Sequence, residues 1–186
     1  MTKPEKTLNE ETLYQGNELS MMIREVELAN GQHKKRPIAT TAGAVVILPR
    51  TVNNDIRLIK QYRAAAQKWL YELPAGGLEV NEDPAEAAPR ELLEETGDQA
   101  KEWHYLGGFY TAPGFLNEFL YLYLATDLTP GPNRPEFDEH IEVVTVSWAD
   151  VIRMIDQGDI EDAKTIAGIM KTSIYLNFSL TDGTSK

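Results

Sequence analysis

The 186-residue sequence contains no cysteine, which excludes disulfides, thiolate metal sites and cysteine nucleophiles together. Long apolar runs are missing too, and none reaches the ~18 residues that a membrane span requires. The opening segment MTKPEKTLNEETLYQG lacks the apolar centre of a secretory leader. These absences lead to the expectation of a cytoplasmic protein that does not enter a membrane. Positive charge is scarce. With 18 basic against 29 acidic residues the net charge is -11, so the general field repels polyanions and nucleic acid is not an expected partner. A small phosphorylated ligand meets the same repulsion and can bind only where cations or focused basic side chains reverse the sign locally. There is neither a Gly-x-Ser-x-Gly elbow nor a Gly-x-x-x-x-Gly-Lys loop. His33, His104 and His140 are isolated from one another in sequence.

Hydrophobic patterning interleaves strands and helices. Residues 1 to about 12 are charged and read as a mobile tail. Met22, Val26 and Leu28, the Asn30-Gly31 turn and Pro37-Ile38-Ala39 predict a short antiparallel hairpin between Asn17 and Thr41. Gly43 to Leu48 and Ile56 to Tyr62 read as strands joined by the turn Val52-Asn53-Asn54-Asp55, and Trp69 to Leu73 as another. Asp83-Pro84 is a helix start and Gly97 a helix stop, with Ala85, Ala88 and Leu92 on one apolar stripe. Further strands are expected at His104–Tyr110, Glu118–Ala125 and Ile141–Ser147. Helical spacing of Val151, Ile152 and Ile155, and of Ala163, Ile166, Ala167, Met170 and Ile174, predicts two more helices. Trp69, Trp103 and Trp148 read as core or boundary residues. The expected architecture is α+β, with an N-terminal tail and hairpin lobe (1–41), a main domain (42–178) and a polar C-terminal tail (179–186).

The informative stretch is Gly76 to Gly97, where seven carboxylates lie between Glu79 and Glu95. On a helix, Glu91 and Glu95 are one turn apart and face the same way, while Glu94 lies about 60° from Glu91. Like charges so placed repel, so the face is either solvated or neutralised by a cation. Hard oxygen ligands suit magnesium or manganese. Arg90, four residues before Glu94, is spaced to pair with it and orient its carboxylate.

Gly76, Glu82, Arg90, Glu91, Leu92, Glu94, Glu95 and Gly97 stand at the spacings of the Nudix box, and the sequence resembles that family from about residue 17 to residue 170. Two positions depart from the pattern. Asp98 stands where an aliphatic residue is usual, which weakens the expected packing, and Pro89 lies inside the helix, where it deletes a backbone donor. The resemblance implies a mixed β-sheet sandwiched between helices, an α/β/α Nudix fold, with a small N-terminal β-hairpin lobe.

Within the family the sequence is most similar to ADP-ribose and nucleoside-diphosphate-sugar pyrophosphatases. Gln61-Tyr62-Arg63 resembles a motif whose arginine contacts substrate phosphate. Glu72-Leu73-Pro74-Ala75-Gly76 resembles one in which the alanine carbonyl is a metal ligand. Pro113, 16 residues beyond Gly97, is in the register that marks the ADP-ribose branch. Glu136-Phe137-Asp138-Glu139-His140-Ile141-Glu142-Val143 resembles the acidic loop that supplies the catalytic base. The resemblance implies Ala75, Glu91, Glu95 and Glu94 at the metal, which is Mg2+ with Mn2+ as alternative. It implies Glu139 as base, with Glu136 and Glu142 open as alternatives, and Glu94 and Arg90 in supporting catalytic roles. It implies substrate contacts from Arg63, Leu78, Pro113 and Glu118. The N-terminal lobe resembles a dimerisation element, so a homodimer is expected. The expected reaction is hydrolysis of the pyrophosphate bond of a nucleoside diphosphate sugar, ADP-ribose before GDP-mannose or other such sugars. The alternatives are a Nudix enzyme acting on nucleoside triphosphates or dinucleotides, and a non-catalytic nucleotide-binding module.

Overall fold

A run of small and branched apolar residues buried on both faces sets the centre of the larger unit. In the computed structural model, which describes residues 4–134 and 140–178, β4 (Ala44–Pro49) pairs with β7 (Ala75–Gly77) antiparallel and with β9 (Phe119–Thr129) parallel. With β8 (Gln99–Tyr110) these strands form a four-stranded sheet in the order β7-β4-β9-β8. Successive side chains on β4 and β9 point to opposite faces. Val46, Leu48, Leu122 and Leu124 enter one cluster with Ile56, Leu58, Leu73, Trp148, Val151, Ile160 and Ile169. Val45, Ile47, Tyr123 and Ala125 enter the other with Ala87, Ala88 and Leu92 of helix α1 (Pro84–Thr96). Each fully buried Val, Leu or Ile contributes about 2 kcal/mol through removal from water. The second sheet, β10-β5-β6, joins β10 (Ile141–Ser147), β5 (Asp55–Arg63) and β6 (Lys68–Glu72) in antiparallel register. Helices α2 (Trp148–Gln157) and α3 (Ala163–Leu176) supply residues to the first cluster.

Helix α1 begins and ends as the sequence predicts. Asp83 accepts the Ala85 N–H at 2.9 Å, Pro84 opens the helix, and Gly97 closes it at φ 76°. Pro89 does not break it: the helix runs unbroken from Pro84 to Thr96. Pro89 and Ala85, the residue whose carbonyl it leaves without a helical donor, are both exposed, so water can satisfy that carbonyl. The predicted stripe is rotated slightly, with Ala87, Ala88, Glu91, Leu92, Glu95 and Thr96 buried and Ala85 exposed.

The smaller unit comprises residues 1–43 and 110–119. Its sheet is a three-stranded meander in place of the expected hairpin. β1 (Glu5–Gln15) pairs antiparallel with β2 (Ser20–Leu28), and β2 with β3 (His33–Thr40). The segment read as a mobile charged tail is therefore largely strand. Its charges are matched across the sheet by Arg24 with Glu10 at 2.6 Å and Arg36 with Glu5, and Thr7, Thr12 and Tyr14 favour extended backbone. The 110–119 segment docks on the end of β3: Ala39 N–H donates to Phe115 O at 2.7 Å, and Thr41 N–H to Asn117 Oδ1 at 2.8 Å. Among the described residues no helix is long and apolar enough to cross a membrane.

Candidate active site

The Nudix-box carboxylates separate into two classes once α1 is packed. Glu91 and Glu95 lie on the inward edge and are only 9% and 2% exposed. Glu94 is half-buried beside them, its side chain 38% exposed. The helix packs against the short β7 segment, where Ala75 N–H donates to Glu95 Oε2 at 2.8 Å. Gly76 is required for close approach: a Cβ there would stand 2.0 Å from the Glu91 carboxyl carbon. Two buried carboxylates are thus held against the Ala75-Gly76 backbone.

Arg90 organises the outer side of this cluster more extensively than its i,i+4 spacing to Glu94 suggests. Its Nε and Nη2 make a bidentate pair with Glu82, both at 2.9 Å, while Nη1 donates to Glu91 at 2.7 Å and to Glu94 at 3.1 Å. The hydrogen bond to Glu82, assisted by the charge of Glu91, raises the guanidinium pKa despite its partial burial. Glu82 in turn is lowered, first by Arg90 and then by the Glu79 backbone N–H.

A second ion network lies at the end of β5. Arg63 donates from Nε and Nη2 to the two oxygens of Glu72 at 2.8 and 2.7 Å. Burial alone would raise the pKa of Glu72, which is 1% exposed, but the hydrogen bonds and charges of Arg63 and Lys164 outweigh it and lower the pKa. For Arg63 the Glu72 bond is the main upward influence, and Glu95 adds a smaller attraction. That attraction links the two networks electrostatically. Glu72 was legible only as part of a motif, and Lys164, Asp162 and Thr165 carried no site signal in the sequence.

The remaining expected site residues fall as follows. Leu78 packs against the cluster beneath α1. Pro113 and Glu118 belong to the smaller unit, in the segment paired with β3. Glu139 and Glu136 lie outside the described residues. Glu142 is exposed and sits opposite Lys60 on β5. By strand alternation Lys60 and Glu142 occupy the sheet face opposite that of Arg63 and Glu72. Trp69, expected in the core or at its boundary, is instead exposed at 50%, edge-to-face with the similarly exposed Tyr62 at the end of the β5–β6 pair.

Asp98 corrects the expectation of weakened packing. It is 0% exposed, and Arg57 on β5 donates to both its oxygens, at 3.0 and 3.2 Å. Arg57 also donates to Thr145 on β10 at 2.8 Å. An ion pair thus replaces the usual aliphatic contact at the end of the box. The loop after β9 closes the same end of α1: Arg134 N–H donates to Glu94 O at 2.8 Å, and Asn133 Nδ2 approaches Glu95 O at 3.4 Å. Gly97 and Gly131 touch so closely that a Cβ on Gly97 would stand 2.2 Å from Gly131 O.

Among the described residues no three His, Cys, Asp or Glu side chains converge as a ready metal cage. Magnesium does not require one, since it binds through one or two carboxylates, waters and substrate phosphates. The buried Glu91 and Glu95 carboxylates, packed against the Ala75-Gly76 backbone, are hard oxygen donors that fit a divalent cation of this kind.

The α/β/α arrangement and its carboxylate-edged helix are those of the Nudix hydrolases. The chain belongs to that family, whose NUDIX domain model matches residues 40–168. Among its relatives, the ADP-ribose pyrophosphatase of Bacillus subtilis (strain 168) is 37% identical, over 89% of this chain and 90% of the relative. The methanol dehydrogenase activator of Bacillus methanolicus is 36% identical with the same coverage. A crystal structure of an ADP compounds hydrolase matches 95% of this chain and 96% of its own, with a TM-score of 0.85 at 22% identity, which establishes the shared fold.

Proposed function

We propose that the protein hydrolyses the pyrophosphate bond of nucleoside diphosphate sugars, with ADP-ribose preferred and GDP-mannose as a further substrate. The products are a nucleoside monophosphate and a sugar phosphate. The observation that carries this reading is the buried Glu91 and Glu95 pair held against Ala75 and Gly76. The ADP-ribose pyrophosphatase name of a relative aligned over most of both chains supports the substrate class.

In this reading Glu91, Glu95 and the Ala75 carbonyl hold Mg2+, or Mn2+ in its place, with Glu94 in support. An ion held there would lower the pKa of a water and would offset negative charge on the substrate phosphates. Arg90 keeps Glu91 and Glu94 oriented, and Arg63 binds a phosphate oxygen. Glu139 accepts the proton of the attacking water. The water oxygen forms one new bond to phosphorus as the bridging oxygen leaves with the other phosphate. Leu78, Pro113 and Glu118 contribute to substrate binding. Exposed Leu8, Leu13, Tyr14 and Met21 on the three-stranded lobe support a homodimer formed there, and the cysteine-free composition suits a cytoplasmic enzyme.

A substrate panel of ADP-ribose, GDP-mannose, NADH and dGTP with magnesium tests the assignment. Turnover of ADP-ribose at the highest kcat/KM is expected, and a clear preference for dGTP or NADH would overturn it. Hydrolysis in heavy-oxygen water identifies the attacked phosphorus, because the label enters one product only.

A further inference from the structure

The first turn of α3 reaches into the network that holds Arg63. Lys164 has a side chain only 14% exposed, and its ammonium donates to Glu72 Oε2 and, at 3.1 Å, to Asp162 Oδ2. Glu72 Oε2 is also the atom that accepts Arg63 Nη2. One carboxylate oxygen therefore serves two cations. Asp162 is already engaged by the backbone N–H and hydroxyl of Thr165, at 3.0 and 2.6 Å, so the helix cap does not depend on Lys164. The same turn grips the backbone: Thr165 Oγ1 accepts the Leu73 N–H at 2.7 Å, two residues before Ala75. At the exposed end of the network, Arg63 is 40% accessible, and its Nη1 has no hydrogen-bond partner among the described residues.

We propose that Lys164 is a positioning residue for substrate phosphate: it shares Glu72 with Arg63, whose guanidinium Glu72 holds through Nε and Nη2, so that Nη1 is left for a phosphate oxygen. Glu72 carries one negative charge in a water-poor setting. With Lys164 neutralising part of it, more of the Arg63 charge is available to the incoming diphosphate. Without the ammonium, Glu72 draws on Arg63 alone, and the potential offered to the substrate falls. The ligand class is the anionic oxygen of a diphosphate. The inference rests on the assignment of Arg63 to phosphate binding made above.

The test is a double-mutant cycle with ADP-ribose and magnesium, comparing Lys164→Met, Arg63→Ala and the double variant. Lys164→Met is expected to raise KM about fivefold with kcat within about twofold, because the lost interaction is one of binding. In the Arg63→Ala background the same substitution is expected to move KM by less than about 1.5-fold, since the two residues act as a unit. Lys164→Arg, which keeps the cation, is expected to stay within about twofold of the wild-type KM. An unchanged KM in Lys164→Met, or an equal rise in both backgrounds, overturns the role of Lys164. An unchanged KM in Arg63→Ala overturns the assignment of Arg63 instead, so the two failures are distinguishable. Should Lys164→Met not fold, Lys164→Gln is judged by the same criteria.

Discussion

Gly76→Ala separates the chemistry of the site from the stability of the fold. The added Cβ would stand 2.0 Å from the Glu91 carboxyl carbon and 2.1 Å from each of its oxygens. Non-bonded carbons rest about 3.5 Å apart, so the carboxylate must retreat by about 1.5 Å. The displaced atoms are the end of a flexible side chain, and Gly76 does not have the positive φ that would strain alanine. The loss of stability should therefore stay below about 1 kcal/mol. Misplacing a catalytic group by about 1 Å costs on the order of a hundredfold in rate, or about 2.7 kcal/mol. Steady-state assays with ADP-ribose should show kcat down by that factor and a higher magnesium concentration at half-maximal rate. Urea denaturation should show a nearly unchanged midpoint. The reasoning is refuted if kcat stays within about threefold of wild type, or if activity falls only as far as the folded fraction does.

Asp98→Leu restores the family's usual residue type but strands Arg57, whose side chain is 23% exposed; it should cost about 3 kcal/mol in urea unfolding. The double variant Arg57→Leu/Asp98→Leu should recover most of that, and failure to recover would sink the ion-pair account. Glu72 has a folded-state carboxyl lowered from its ordinary 4.5. Its contribution to stability is present above that ordinary value and is lost as pH falls through the lower folded one. The wild-type urea midpoint should accordingly drop more steeply below pH 4.5 than that of Glu72→Gln, and parallel curves would contradict the assignment. Pro89→Ala supplies the missing donor for the exposed Ala85 carbonyl and should raise stability by about 1 to 3 kcal/mol. An unchanged denaturation midpoint would show that the helix bears no cost there.

Local spacing made α1 legible, because its start, its stop and the common face of Glu91 and Glu95 are all contained within 22 consecutive residues, Gly76 to Gly97. What spacing could not separate was burial: Glu91, Glu94 and Glu95 look alike in sequence, and only the approach of β7 leaves Glu94 outside. Residues 5–12 differ from the expected tail because their charge density outweighs their extended-backbone preference, and the partners that settle the matter, Arg24 and Arg36, lie on other strands. Asp98 looked like a packing defect for the same reason, its partner being 41 positions earlier. Lys164 stands 92 positions from Glu72, and no local pattern marks a lysine that the fold turns inward. The β4 run was legible as a strand, but its burial on both faces became clear only with the two clusters it divides.

The seating of the post-β9 loop on the last carbonyls of α1 makes that loop an end stop for the helix. Were α1 to slide along its axis by one residue, it would advance about 1.5 Å and every side chain would swing by about 100°, carrying Glu91 and Glu95 away from β7. Arg134 on the Glu94 carbonyl, and Gly97 pressed against Gly131, oppose that register shift. Length changes in the chain before Gly131 would therefore be read out as misdirected carboxylates, at a distance from the residues altered.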